Sequence, residues 1–448
     1  MSRHWTTTVL TAIALTRGIA CGGSGAGSGS PTPPPEFTLS GPEERLATDD
    51  GHFMIHFTRS GSDAASDAFV QWAAESCSLG WRELVDRGGW TAPAPDGGYG
   101  GDDRLDVVLV SMYAHGGDQT TNGRTTAPNG PGTATLWINT DIEPGSDPSK
   151  HPEVVFFTEK FVRSVFVHEF THAAQFAQLG GTWNGDAANF LAENTAQYHA
   201  VEATDLLSSS TPKDVILIQT LLSARMGFPE KSLHDRAARR DYVPLWSKYL
   251  VDSRGGDTSV LRSIYEVLDS NGDAFAATDA VLSRTGGGLA EDFQTYAEWN
   301  YRVGERADGT GYPEADRFAT LFGSVRVSAT LGPAPASRKS GGDAPYGLGT
   351  NYVRFAPDPT TQDGELRFTG QFGVRWAVSV MTRDASGGPY HVERTLVGPL
   401  HTDATIPIPG WNDKTDLVAV VSNLTVDGSA NTHQASYALE TAGRVTGG

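Results

Sequence analysis

His168, Glu169 and His172 form an H-E-x-x-H run, His-Glu-Phe-Thr-His, inside the apolar stretch Ser164-Val165-Phe166-Val167 to Ala173-Ala174-Gln175-Phe176. Positions i and i+4 lie about one turn apart on the same face of an α-helix. Two imidazoles stacked in that way can hold one zinc ion from a single rigid element. The carboxylate next to the first histidine then sits close enough to activate a water on the metal. The chain is thereby required to build a long helix here and to bring a further ligand to it from elsewhere, because a catalytic zinc takes three protein ligands and leaves one position open.

Twenty residues separate His172 from Glu193, which stands in Asn189-Phe190-Leu191-Ala192-Glu193-Asn194-Thr195-Ala196. That gap lets one helix end, a loop turn and a second helix pack back against the first. A glutamate in an alanine-rich helix is usually a solvated surface residue. The apolar neighbours Phe190, Leu191 and Ala192 put this one near the buried side, where its carboxylate can face the same metal.

With those residues the chain resembles the gluzincin-type zinc metallopeptidases. More widely it is similar to a bacterial group of secreted metalloprotease-like proteins with a C-terminal β-domain. The matching segments are Val167–Phe176 and Phe190–Ala196, Tyr242 through Tyr249-Leu250, and Ala297-Glu298-Trp299-Asn300-Tyr301. They span about Phe53 to Arg306 and, more loosely, the tail. The resemblance implies that His168, His172 and Glu193 are zinc ligands and Glu169 the general base. Asn194 departs from the glycine usual after the ligand glutamate. Tyr242 stands where related enzymes often supply a tyrosine or histidine to the oxyanion, although a tyrosine packed under the active-site helix reads equally simply.

Several weaker candidates surround this constellation. His199 and Glu202, two turns beyond Glu193, could orient a ligand histidine or simply face solvent, and His234 is a further candidate for transition-state stabilisation. Asp96, Asp102 and Asp103 form a glycine-rich acidic loop with oxygen ligands for Ca²⁺, though a solvated loop accounts for it better. Asp269-Ser270-Asn271-Gly272-Asp273 lacks the glycine and glutamate positions of an EF-hand and reads as a helix-to-helix turn. Cys77 lies in a helical pattern with Phe69, Trp72 and Ala73 and reads as a small buried hydrophobe. Leu136-Trp137-Ile138-Asn139 is either an edge strand on which an extended peptide could be laid or an interior strand.

The remaining composition sets the context. The formal charge of −19 excludes a basic nucleic-acid surface. Residues 1–21 read as an export signal, with Arg3, an apolar core from Val9 to Thr16 and small residues before Cys21, and they resemble a lipoprotein signal in which Cys21 is acylated. Residues 22–36 are a Gly/Ser/Pro linker. A helical texture with three early strands runs over 37–310, and short β-rich runs between turns fill 320–448.

The expected fold is therefore α+β. A zincin-like metallopeptidase domain with a small mixed sheet, active-site helices and a helical subdomain precedes an antiparallel β-sandwich. The expected activity is that of an exported zinc metalloendopeptidase acting on protein or peptide substrates. It would touch a membrane only through a lipid at Cys21, in the cell envelope or secreted, and its oligomeric state is left open. Two other readings stay beside it: a non-catalytic surface lipoprotein binding protein or glycan, and a zinc hydrolase acting on a non-peptide bond.

Overall fold

The computed structural model describes residues 38–117, 120–127, 132–181, 185–237, 242–317, 324–357, 359–426 and 430–445. The export signal with Cys21 and the linker 22–36 lie outside these residues. The architecture is α+β, and the chain divides into two units. The first takes the chain to Asn184 with Leu191–Leu221 and Tyr242–Gly272, and the second takes Gly185–Phe190, Leu222–Asp241 and Asp273–Gly448.

In the first unit the hydrophobic alternation after the linker resolves into a mixed five-stranded sheet. Its strands are β1 (Glu43–Ala47), β2 (Phe53–Thr58), β3 (Leu105–Val110), β4 (Gly123–Thr126) and β5 (Thr135–Asn139), in the order β1-β2-β3-β5-β4. β2, β3 and β5 run parallel, while β1 and β4 close the edges antiparallel. Every residue of β3 is buried, as a parallel strand covered on both faces requires. β5 is an interior strand, so the edge-strand reading of Leu136–Asn139 is corrected: the edge is β4, a Gly-Arg-Thr-Thr segment with no apolar alternation to announce it.

One face of the sheet packs on two helices, α1 (Asp67–Trp81) and α2 (Glu159–Leu179). Phe53 of β2 meets Phe170 of α2 edge-on at 5.3 Å, and Phe69 of α1 meets Phe166 at 5.8 Å. α2 starts where Thr158 accepts a hydrogen bond from Phe161 N, and ends at Gly180 in a left-handed conformation. The segment leading into α2 is a separate piece of structure. A 3₁₀ turn over Pro152–Phe156 precedes extended backbone at Phe157 and Thr158, which lets the Thr158 side chain cap the true helix. Then follow α3 (Asp186–Ala203), α4 (Pro212–Met226), α5 (Leu245–Asp252) and α6 (Ser259–Asn271). Among the described residues, no helix is long and apolar enough to cross a membrane.

Among the described residues the second unit holds α7 (Ala274–Leu282), α8 (Leu289–Tyr301) and nine strands: β6 (Ala329–Leu331), β7 (Ala336–Lys339), β8 (Gly349–Phe355), β9 (Thr361–Gly370), β10 (Trp376–Asp384), β11 (His391–Val397), β12 (Asp403–Ile408), β13 (Lys414–Asn423) and β14 (Tyr437–Val445). They form two sheets, β11-β10-β13-β8-β6 and β12-β9-β14-β7, antiparallel except where β6 runs along β8. Alternate residues of both sheets, among them Val353, Phe368, Trp376, Leu417 and Leu439, enter one hydrophobic cluster. α8 is bonded to the first of these sheets. Gln294 donates to Ser379 Oγ at 2.8 Å, Tyr301 donates to Asp416 at 2.8 Å, and Glu298 receives Arg394 at 2.7 Å. The run Val325–Val327, expected as a strand, joins no ladder; Arg326 N instead donates to the Met226 carbonyl.

Candidate metal centre

The apolar run that made α2 predictable from sequence also sets its depth: Ser164 to Phe176 is buried without interruption. His168 and His172 therefore project from a core helix rather than from the surface. α3 brings Glu193 against them. His168 Nε2 and His172 Nε2 are 3.1 Å apart, and Glu193 Oε2 stands 3.2 Å from the first and 3.4 Å from the second. Among the described residues these three are the one group of three or more such ligands gathered closely enough to hold a metal ion.

The spacing fits a metal better than a hydrogen-bonded cluster. Donors about 2.0–2.1 Å from a tetrahedral centre lie about 3.3 Å from one another, and the three observed separations bracket that value. His172 Nδ1 faces Gln175 Oε1 at 2.8 Å, so its proton belongs on Nδ1 and the Nε2 lone pair is left for the centre. Gln175 is fixed in turn, its Nε2 donating to the Ala192 carbonyl at 3.1 Å and to Tyr265 Oη at 3.0 Å. Burial opposes ionisation of Glu193, but His172 and His168 outweigh it and hold the carboxyl well below the usual carboxylate range. Burial acts downward on His172, yet the charge of Glu193 carries it up to about 9, so a metal binding at Nε2 must displace a proton there.

Glu169 points to the other side of the same turn, toward β4. Its Oε2 lies 2.7 Å from Thr125 Oγ1, and the same hydroxyl is 2.8 Å from the Glu169 carbonyl. One hydroxyl proton serves both protonation states of the acid. The ionised carboxylate receives it at Oε2. The protonated acid donates from Oε2 to Oγ1, which then donates to the main-chain carbonyl. Oε1 is buried with no hydrogen-bond partner among the described residues, and burial raises the carboxyl above its ordinary value. Gly123 makes room for this side chain: a Cβ there would lie 2.7 Å from Glu169 Cγ and 2.9 Å from Oε1.

Tyr242 is buried and its ring stacks on His168 at 6.1 Å. The segment carrying it is clamped to α3 by Asn194, the residue that departs from glycine. Asn194 Nδ2 donates to the Val243 carbonyl, and its Oδ1 accepts from Ser247 N at 2.8 Å and Ser247 Oγ at 2.7 Å, capping α5.

Other sequence candidates fall elsewhere. The partner that orients His172 is Gln175; His199 is buried against Trp90 and held down to about 4 by desolvation, and Glu202 pairs with Lys248. His234 lies edge-on to Phe275 in the second unit. Asp102 is paired with Arg104. Asp96 is buried and pushed up to about 7 by desolvation and by the charge of Asp106. Asp273 caps α7 through Phe275 N and Ala276 N. Cys77 is a buried free thiol, raised by desolvation. Thr125, Gly123 and Gln175 were not anticipated. Only Gln175 carried a local signal, standing three residues after His172 on the same helical face.

No protein-family model and no curated protein matches the chain. Among solved structures it is similar to CorA, described as a surface-associated copper-binding protein important in Methylomicrobium album BG8 copper acquisition. The identity is 8%, the match covers 26% of this chain and 98% of that one, and the TM-score is 0.18. A TM-score of 0.18 leaves fold and metal to be argued from the geometry alone.

Proposed function

We propose that this chain is an exported zinc metalloendopeptidase, with a zincin-like catalytic domain followed by an antiparallel β-sandwich and with a lipid on Cys21. The observation that carries the reading is the buried triangle of His168, His172 and Glu193 beside a glutamate that keeps one carboxylate oxygen unpartnered. The donor set of two imidazoles and one carboxylate suits zinc, which takes nitrogen and oxygen ligands in tetrahedral geometry; Ca²⁺ and Mg²⁺ favour oxygen alone. A zinc ion held there supplies Lewis acidity toward a peptide carbonyl and a water molecule.

The chain's own residues do the rest. Glu169 takes the proton of the attacking water through Oε1, while Thr125 holds Oε2. It then hands that proton to the departing amine. Tyr242 serves the developing oxyanion as a donor. The substrate lies along β4. Asn139 N donates to the Asn122 carbonyl, so the alternation of an antiparallel ladder turns the main-chain groups of Gly123 and Thr125 away from β5. No strand pairs with that edge among the described residues. An extended peptide added there runs directly past Glu169.

Metal analysis of the purified protein, with peptide-library assays on the wild type and on Glu169→Gln, tests the reading. Stoichiometric zinc with hydrolysis abolished in the variant is expected. Full zinc occupancy without turnover of any peptide would refute the peptidase, and an absence of bound metal would refute the site.

A further inference from the structure

The edge strand has two faces, and only one of them serves the metal centre. Gly123 and Thr125 meet Glu169. Arg124 and Thr126 point to the opposite face of the sheet, where they border a cleft of about 510 Å³ with Tyr99, Val108, Val110 and Trp137. The register explains the grouping: Arg124 is directly opposite Trp137, and Trp137 is opposite Val108. Trp137 Nε1 donates to Thr126 Oγ1 at 3.1 Å, fixing the indole beside the strand. The polar groups of this face are engaged with one exception. His115 on the rim of the cleft is bonded to Asp63 at 3.0 Å, whereas the Arg124 guanidinium is exposed and forms no hydrogen bond or ion pair with any described residue.

A peptide added to β4 must alternate between these two faces, because successive side chains of a strand point oppositely. Residues opposite Gly123 and Thr125 turn toward Glu169. The residue opposite Arg124 turns toward the guanidinium and the indole. We propose that Arg124 makes this protein select an extended peptide with Asp or Glu opposite it, immediately next to the residues that face Glu169. This rests on the peptidase reading for where the peptide lies, but not for whether it is cut.

The guanidinium suits the role. Its planar fork can bind a carboxylate through two parallel hydrogen bonds, and the apolar wall formed by Trp137 excludes water from one side of the pair. The chain's overall negative charge does not oppose it, since exposed charges farther than about 8 Å are screened at physiological salt. Of the described acids near this face, Asp63 is committed to His115 and Asp106, two residues before Val108, to His56.

Two measurements test the proposal. The first is cleavage of a blocked peptide library by zinc-loaded wild type, read by mass spectrometry. The second is binding of the same peptides, carrying Asp, Asn or Lys at the selected position, to Glu169→Gln followed by fluorescence anisotropy. Acidic residues should be enriched close to the cleaved bond, with Asp peptides binding about fivefold more tightly than Asn peptides. Arg124→Glu should transfer the preference to Lys, and Arg124→Lys should retain it; loss of structure alone would produce neither pattern. Cleavage without acidic preference would overturn this proposal and leave the peptidase standing. Arg124-dependent binding without cleavage would support it while removing the peptidase. Neither binding preference nor cleavage would overturn both.

Discussion

Substituting Gly123 by alanine tests the close fit between the edge strand and Glu169. The backbone there has no positive φ, so alanine meets no conformational penalty and the whole effect is steric. The new Cβ would sit 2.7 Å from Glu169 Cγ, where ordinary contact begins at 3.4 Å, so strand and side chain must separate by about 0.7 Å. Glu169 cannot yield freely, since Thr125 holds Oε2 at 2.7 Å and α2 is buried around it. Overpacking of this kind costs about 2 kcal/mol, which lowers Tm by about 6 °C for a domain of this size. A base displaced by that distance should cost about a hundredfold in kcat/KM, while zinc affinity stays within a factor of about three because no ligand is touched. Differential scanning fluorimetry, peptide hydrolysis and a chelator competition read the three effects. Gly181→Ala, with nothing within 4 Å of its added methyl, is the control. Unchanged Tm and unchanged turnover in Gly123→Ala would refute the packing argument.

Gln175→Ala should weaken zinc binding by about tenfold to a hundredfold through loss of the acceptor that fixes the His172 proton. Gln175→Glu, which keeps an acceptor at that place, should recover most of it in the same chelator competition. His199 gives a pH dependence of defined sign. Its folded value lies near 4 against an ordinary value of 6.5, so the unfolded chain takes up the proton first. Its contribution is intact above about pH 6.5 and is lost as pH falls toward 4, by about 3 kcal/mol. In denaturant titrations across that window the wild type should lose about 3 kcal/mol relative to His199→Leu as pH falls; parallel curves would contradict the burial argument.

The parts of this molecule legible in its sequence are those whose signal is local. His168 and His172 announce themselves because helical periodicity fixes their relation, and Glu193 because its apolar neighbours bury it. The helical texture expected over 37–310 includes α8, Leu289–Tyr301, whose apolar spacing lies within a single element. Residues whose meaning depends on long-range pairing stayed silent. β4 has no alternating pattern, so neither Gly123 nor Thr125 could be seen as the wall of the site. Likewise β1, β7, β11 and β12 are largely polar on their exposed faces, and only pairing with buried neighbours makes them strands. Leu136–Asn139 is apolar enough to be a strand, but its rank within the sheet is decided by what lies beside it. Asn194 looked like a minor departure and instead holds two segments together.

The burial of α2 from Ser164 to Phe176 has a consequence for how such a molecule can change over time. The two histidines are also core residues, flanked by Phe166, Phe170 and Phe176, so mutations that would move them damage the fold before they alter the chemistry. Freedom lies at the periphery, on a four-residue strand whose outward side chains touch nothing essential. If the proposed peptidase activity holds, descendants of this chain would keep the metal centre and explore new substrates by rewriting positions 124 and 126.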